Sequence, residues 1–115
     1  MRAKGAKPRL ITYKRSYAAG EPIEVLWENA PANRWDWLGV YTASAADPMV
    51  DSYLIWQYTG AAASGTMAGP PAGALALDDT AWGEPWPLPS GKYKVFYLLA
   101  DGYESVAGAS FTVTM

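Results

Sequence analysis

The 115-residue chain contains neither cysteine nor histidine. Without cysteine there can be no disulfide, thiolate nucleophile, zinc–thiolate site or iron–sulfur cluster. Without histidine a serine triad has no imidazole base, and no histidine-ligated zinc or copper centre can form. Long apolar runs are also missing. None approaches the roughly 20 residues that a membrane-spanning helix requires. Met1-Arg2-Ala3-Lys4-Gly5 does not lead into the apolar core of a signal peptide either, so an export signal, if the protein is secreted, is expected outside this chain. Helical periodicity never persists beyond about two turns, and Phe occurs only twice. Against these absences stand six Trp and eight Tyr.

Charge is sparse and unevenly placed. The net charge is −2, yet residues 1–15 hold six of the nine basic residues and no acid. Residues 16–115 therefore carry three basic residues against eleven acids, a net of −8. An acidic body is a poor match for nucleic acid, whose binding rests on neutralising phosphates. The basic start, residues 1–8, reads as a solvated tail or linker remnant preceding one domain over residues 9–115.

The positive signal is alternation with period two. In Pro22-Ile23-Glu24-Val25-Leu26-Trp27-Glu28, the residues Ile23, Val25 and Trp27 share one face. In Gly91 to Leu99, the residues Tyr93, Val95, Tyr97 and Leu99 do the same, opposite Lys92 and Lys94. Further strands are expected over Arg9 to Tyr13, Trp37 to Thr42, Ser52 to Tyr58, Gly73 to Leu77 and Ser110 to Thr114, with a weak one around Ala62 to Met67. Asp101-Gly102 between two apolar runs marks a hairpin. Pro85, Pro87 and Pro89 exclude a central strand from the 78–89 connection. About seven short strands in one small domain imply an all-β fold, an immunoglobulin-like antiparallel β-sandwich. Gly91 followed by Tyr93 at a strand start suggests a tyrosine corner, the phenol bonding back to the connecting loop.

The order Gly20-Glu21-Pro22-Ile23-Glu24-Val25, then Trp35-Asp36-Trp37-Leu38-Gly39-Val40-Tyr41, then Tyr53-x-x-Trp56-x-Tyr58 carries a resemblance. It continues through Leu88-Pro89-x-Gly91-x-Tyr93 and Asp101-Gly102-Tyr103. This order resembles the bacterial immunoglobulin-like modules appended to secreted hydrolases such as calcineurin-like phosphoesterases. The Asp36 to Tyr41 core is also similar to one strand of the SKICH domains. The resemblance implies a non-catalytic accessory module, extracellular or periplasmic, within a larger protein. The Asp36 to Tyr41 motif itself is explained by architecture: Trp37 and Tyr41 share a face, Gly39 between them admits a large ring, and Asp36 bonds loop backbone.

Candidate chemistry then narrows. Asp47, Asp51, Asp78, Asp79, Glu84 and Asp101 offer carboxylates, but no spacing among them marks a catalytic pair across a cleft, and the chain does not read as an enzyme. Asp78-Asp79-Thr80 with Asp47 or Asp51 would supply oxygen ligands for a structural calcium ion; no other cofactor is indicated. Trp27, Trp37, Tyr93 and Tyr97 are expected in the core. Trp35, Trp82 and Trp86 fall in expected loops, where rings that miss the core form a contact patch. Trp82 and Trp86 alternatively fold back to cover an end of the sandwich. The leading expectation is glycan binding by a monomeric module, through Trp35, Trp82 and Trp86 with Asp78, Asp79 or Glu84 accepting from sugar hydroxyls. The alternative is a structural domain docking on a neighbouring domain of the same polypeptide.

Overall fold

The computed structural model describes residues 7–33, 35–45, 48, 52–62 and 72–114. Nine strands fall among them: β1 (Arg9–Thr12), β2 (Ser16–Ala18), β3 (Ile23–Glu28), β4 (Trp37–Thr42), β5 (Ile55–Tyr58), β6 (Gly73–Leu77), β7 (Trp82–Gly83), β8 (Gly91–Leu98) and β9 (Ser105–Thr114). They form two sheets, β1-β3-β6 and β2-β9-β8-β4-β5-β7. The first, third and sixth strands thus face the fourth, eighth and ninth across a shared core, the arrangement of a β-sandwich.

Alternation builds the core as the sequence implies. Ile23, Val25 and Trp27 of β3 are buried while Glu24 and Glu28 are exposed. From the opposite sheet come Leu38 and Val40 of β4, Ile55 of β5, and Tyr93, Val95 and Tyr97 of β8. Each such side chain contributes about 1.5–3 kcal/mol on burial. The Tyr93 hydroxyl donates to the Pro89 carbonyl at 2.6 Å, so the tyrosine corner is present.

Four expectations need correction. The strand count among the described residues is nine, because β2 and β7 are too short for a periodic signal. The sheet is not wholly antiparallel: β2 runs parallel to β9, with Tyr17 opposite Val113. The buried Tyr17 phenol holds that crossing, accepting from the Lys14 amide at 2.9 Å and donating to the Glu24 carbonyl at 3.2 Å. The β8–β9 turn is centred on Ala100 and Asp101, both at positive φ (47° and 61°), with the Gly102 amide closing on the Leu99 carbonyl at 2.7 Å. Asp101-Gly102 is therefore displaced by one residue from the turn centre, and β9 begins at Ser105. Finally, Trp37 lies outside the inter-sheet core. It belongs to a second cluster with Tyr41, Ala45 and Leu98, on the outer face of the six-stranded sheet.

Asp47, Asp51 and nearly all of the expected strand around Ala62 to Met67 lie outside the described residues, Ala62 itself ending a 3-10 turn over Thr59–Ala62. No helix among the described residues is long and apolar enough to cross a membrane.

Candidate functional site

The outer face of the six-stranded sheet is organised around a missing side chain. On β4, Leu38 and Val40 point into the sandwich, which leaves Trp37, Gly39 and Tyr41 outside. A Cβ on Gly39 would stand 2.6 Å from the Trp37 ring and 3.2 Å from both Tyr41 and Leu98. The bare backbone there is what lets the Trp37 indole lie down on the sheet. The register extends this into a rung across five strands: Gly108 opposite Phe96, Phe96 opposite Gly39, Gly39 opposite Trp56, and Trp56 opposite Trp82. A Cβ on Gly108 would likewise meet the Phe96 ring at 3.0 Å.

Trp37 is the hub. It is 5% exposed and makes T-shaped contacts with Tyr53, Trp56 and Tyr103, at centroid distances of 5.6, 5.9 and 5.9 Å. Its indole N–H donates to the Gly102 carbonyl at 2.9 Å, which orients the ring. Around it opens a cleft of about 170 Å³ lined by Trp37, Tyr53, Trp56, Tyr58, Asp101 and Tyr103. The Tyr58 hydroxyl donates to Asp101 Oδ1 at 2.8 Å. That bond to a carboxylate raises the pKa of the Tyr58 phenol above its ordinary value.

Trp82 extends the patch to the sheet edge. It stacks on Trp56 at 6.0 Å and 25°, yet remains 60% exposed. Gly83 makes this possible: its φ is +85°, and a Cβ there would stand 2.1 Å from the Leu54 carbonyl oxygen, so only glycine lets β7 lie against β5.

The far end of the cleft rests on Asp36. This fully buried carboxylate accepts from the Asn33 amide and the Tyr97 hydroxyl on Oδ2 and from the Ala100 amide on Oδ1, each at 2.8 Å. Its carbonyl accepts from the Thr59 amide at 2.9 Å. One residue thereby fastens the loop before β4, the end of β5 and the β8–β9 turn. Trp35, Ala100 and Asp101 all hold positive φ here, a conformation costing about 1–2 kcal/mol for a residue other than glycine. The Asp36 bonds, and the Asp101 amide on the Trp35 carbonyl at 2.9 Å, hold that conformation.

The sequence-expected site residues are divided by the fold. Trp82 sits beside the cleft. Trp35 is half-buried and contacts Tyr58 at 5.1 Å, bracing the cleft from behind. Trp86 is half-buried against the main core, where it covers the sandwich. Asp78 closes its own turn, Oδ1 accepting from the Thr80 amide at 2.9 Å and hydroxyl at 2.6 Å, and these bonds lower its pKa. Asp79 and Glu84 are exposed and do not line the cleft. Among the described residues no three carboxylates gather as a metal site. Tyr53, Trp56, Tyr58, Asp101 and Tyr103 were not singled out by sequence reasoning as binding residues. Their signal was the placing of Tyr53-x-x-Trp56-x-Tyr58 and Asp101-Gly102-Tyr103 in the residue order that carries the family resemblance. Compared with protein-family models and with curated proteins, the chain gives no match.

Proposed function

We propose that the chain is a non-catalytic glycan-binding module of a secreted bacterial protein, with the aromatic cleft and the Trp56–Trp82 pair as its binding surface. The observation that carries this reading is the exposure of rings the fold does not need to bury. Trp82, Tyr53 and Tyr103 are 60%, 42% and 41% exposed and are all joined to the Trp37 cluster. Contiguous apolar surface of this kind marks a contact site. Flat indoles suit the C–H faces of pyranose rings, while Asp101 is placed to accept from a sugar hydroxyl. The resemblance to accessory modules of secreted hydrolases supports the non-catalytic, accessory part of the reading and carries no ligand with it.

Affinity electrophoresis through a panel of soluble polysaccharides tests it. At least one polysaccharide should retard the protein, and Trp82→Ala should abolish the retardation without unfolding the domain. No retardation by any polysaccharide would overturn the proposal and leave the patch to a neighbouring domain of the same polypeptide.

A further inference from the structure

Among the described residues, five of the six that line the cleft are aromatic and the sixth is a carboxylate. A saccharide platform needs one or two flat rings. A recess walled by rings in several orientations suits, beside that platform, a compact group carried by the glycan. Tyr53, Trp56 and Tyr103 stand at 80°, 76° and 81° to Trp37, so the rings lining the recess lie in several planes rather than one. Aromatic faces carry negative electrostatic potential and attract cations, most effectively cations that are easily desolvated.

The remaining features agree. Asp101 supplies a formal negative charge at the recess, held by the Tyr58 hydroxyl. Among the described residues no Lys or Arg lines it. Its volume of about 170 Å³ lies below the roughly 300–1,000 Å³ of pockets that enclose drug-sized ligands, so it takes a headgroup and not a whole saccharide.

We infer that the recess is a cation cage for a quaternary ammonium group, and that the group is the choline-type substituent of a glycan whose sugar rings lie on the neighbouring Trp56–Trp82 pair. This rests on the glycan-binding reading for its second half only. The trimethylammonium would sit among Trp37, Tyr53, Trp56 and Tyr103, with Asp101 neutralising its charge. A primary ammonium or a sodium ion, being strongly hydrated, would be rejected.

Titration calorimetry and tryptophan fluorescence on the full chain provide the test, with choline chloride and its uncharged isostere 3,3-dimethylbutan-1-ol as probes. Choline should bind and the isostere should not. Asp101→Asn keeps an acceptor for Tyr58 and tolerates the left-handed backbone, so it removes the charge alone; it and Tyr103→Ala should each weaken choline about tenfold. Equal binding of the isostere, or choline binding indifferent to both substitutions, would overturn the inference. Failure of choline while a neutral polysaccharide still retards the protein would overturn it and leave the glycan reading standing. A phosphocholine-substituted polysaccharide should bind more tightly than free choline. Binding to phosphatidylcholine vesicles but not to that polysaccharide would overturn the glycan assignment.

Discussion

The Tyr97 hydroxyl reaches from the sandwich core to donate to Asp36 Oδ2 at 2.8 Å, tying the interior of β8 to the loop that supports the cleft. The pair joins two parts of the molecule that the chain separates by 61 residues. Its members have different jobs. Tyr97 packs at 6.3 Å against Trp27, and Asp36 gathers loop backbone.

Replacing Asp36 with Ala leaves the Asn33 amide, the Ala100 amide and the Tyr97 hydroxyl without their acceptor at a buried site. A buried donor deprived of its partner costs about 1–3 kcal/mol. Urea denaturation should show a loss of about 3 kcal/mol or more. A midpoint equal to that of the wild type would refute the anchoring role.

Tyr97 also sets a pH dependence. Burial first, and then Asp36, raise its pKa above the ordinary phenol value of about 10. A raised folded-state pKa gives stability that is complete below the unfolded value. That stability declines above about pH 10, where the unfolded chain ionises while the native phenol does not. Urea midpoints between pH 9 and 11 should therefore fall, and Tyr97→Phe should flatten the decline at the expense of lower stability at neutral pH. A slope as steep in the variant would assign the alkaline loss elsewhere.

Gly39→Ala tests the rung. The backbone φ there is unexceptional, so the effect is steric: the new methyl displaces the Trp37 ring from 2.6 Å. Overpacking of this kind costs about 1–3 kcal/mol. Near-UV circular dichroism should change with it, and ligand retention should fall. An unchanged tryptophan spectrum would show that Trp37 does not depend on the gap.

Gly83→Ala acts more locally. Strain at φ +85° and the 2.1 Å approach to the Leu54 carbonyl should detach β7, freeing Trp82 from Trp56. Polysaccharide retardation should fall as it does for Trp82→Ala, while the main unfolding transition persists. A simultaneous collapse of the whole domain would show that β7 is integral to the sandwich.

The strands whose two faces differ were readable from sequence. Alternation placed β3 to within one residue and gave the inward set of β8, because one buried face leaves a clean period of two. β4 is buried on both faces, so the same rule located the strand but sent Trp37 to the wrong side. β2 and β7 owe their existence to partners: Tyr17 to its bonds with Lys14 and Glu24, and Trp82 to the strand it meets. The cleft was only half legible for a related reason. Trp82 announced itself as a loop ring, whereas Tyr53, Trp56, Tyr103 and Asp101 become neighbours only through the register of β4 with β5 and the shape of the β8–β9 turn.

The rung of alternating rings and glycines divides the site into parts with different freedom to change. Trp37, Gly39 and the Gly102 carbonyl are shared between folding and recognition, and a substitution at any of them alters both together. Tyr53, Tyr103 and Trp82 stand on that base with little structural duty. A lineage of such modules could therefore diversify what it recognises by exchanging three side chains, while inheriting the foundation unchanged.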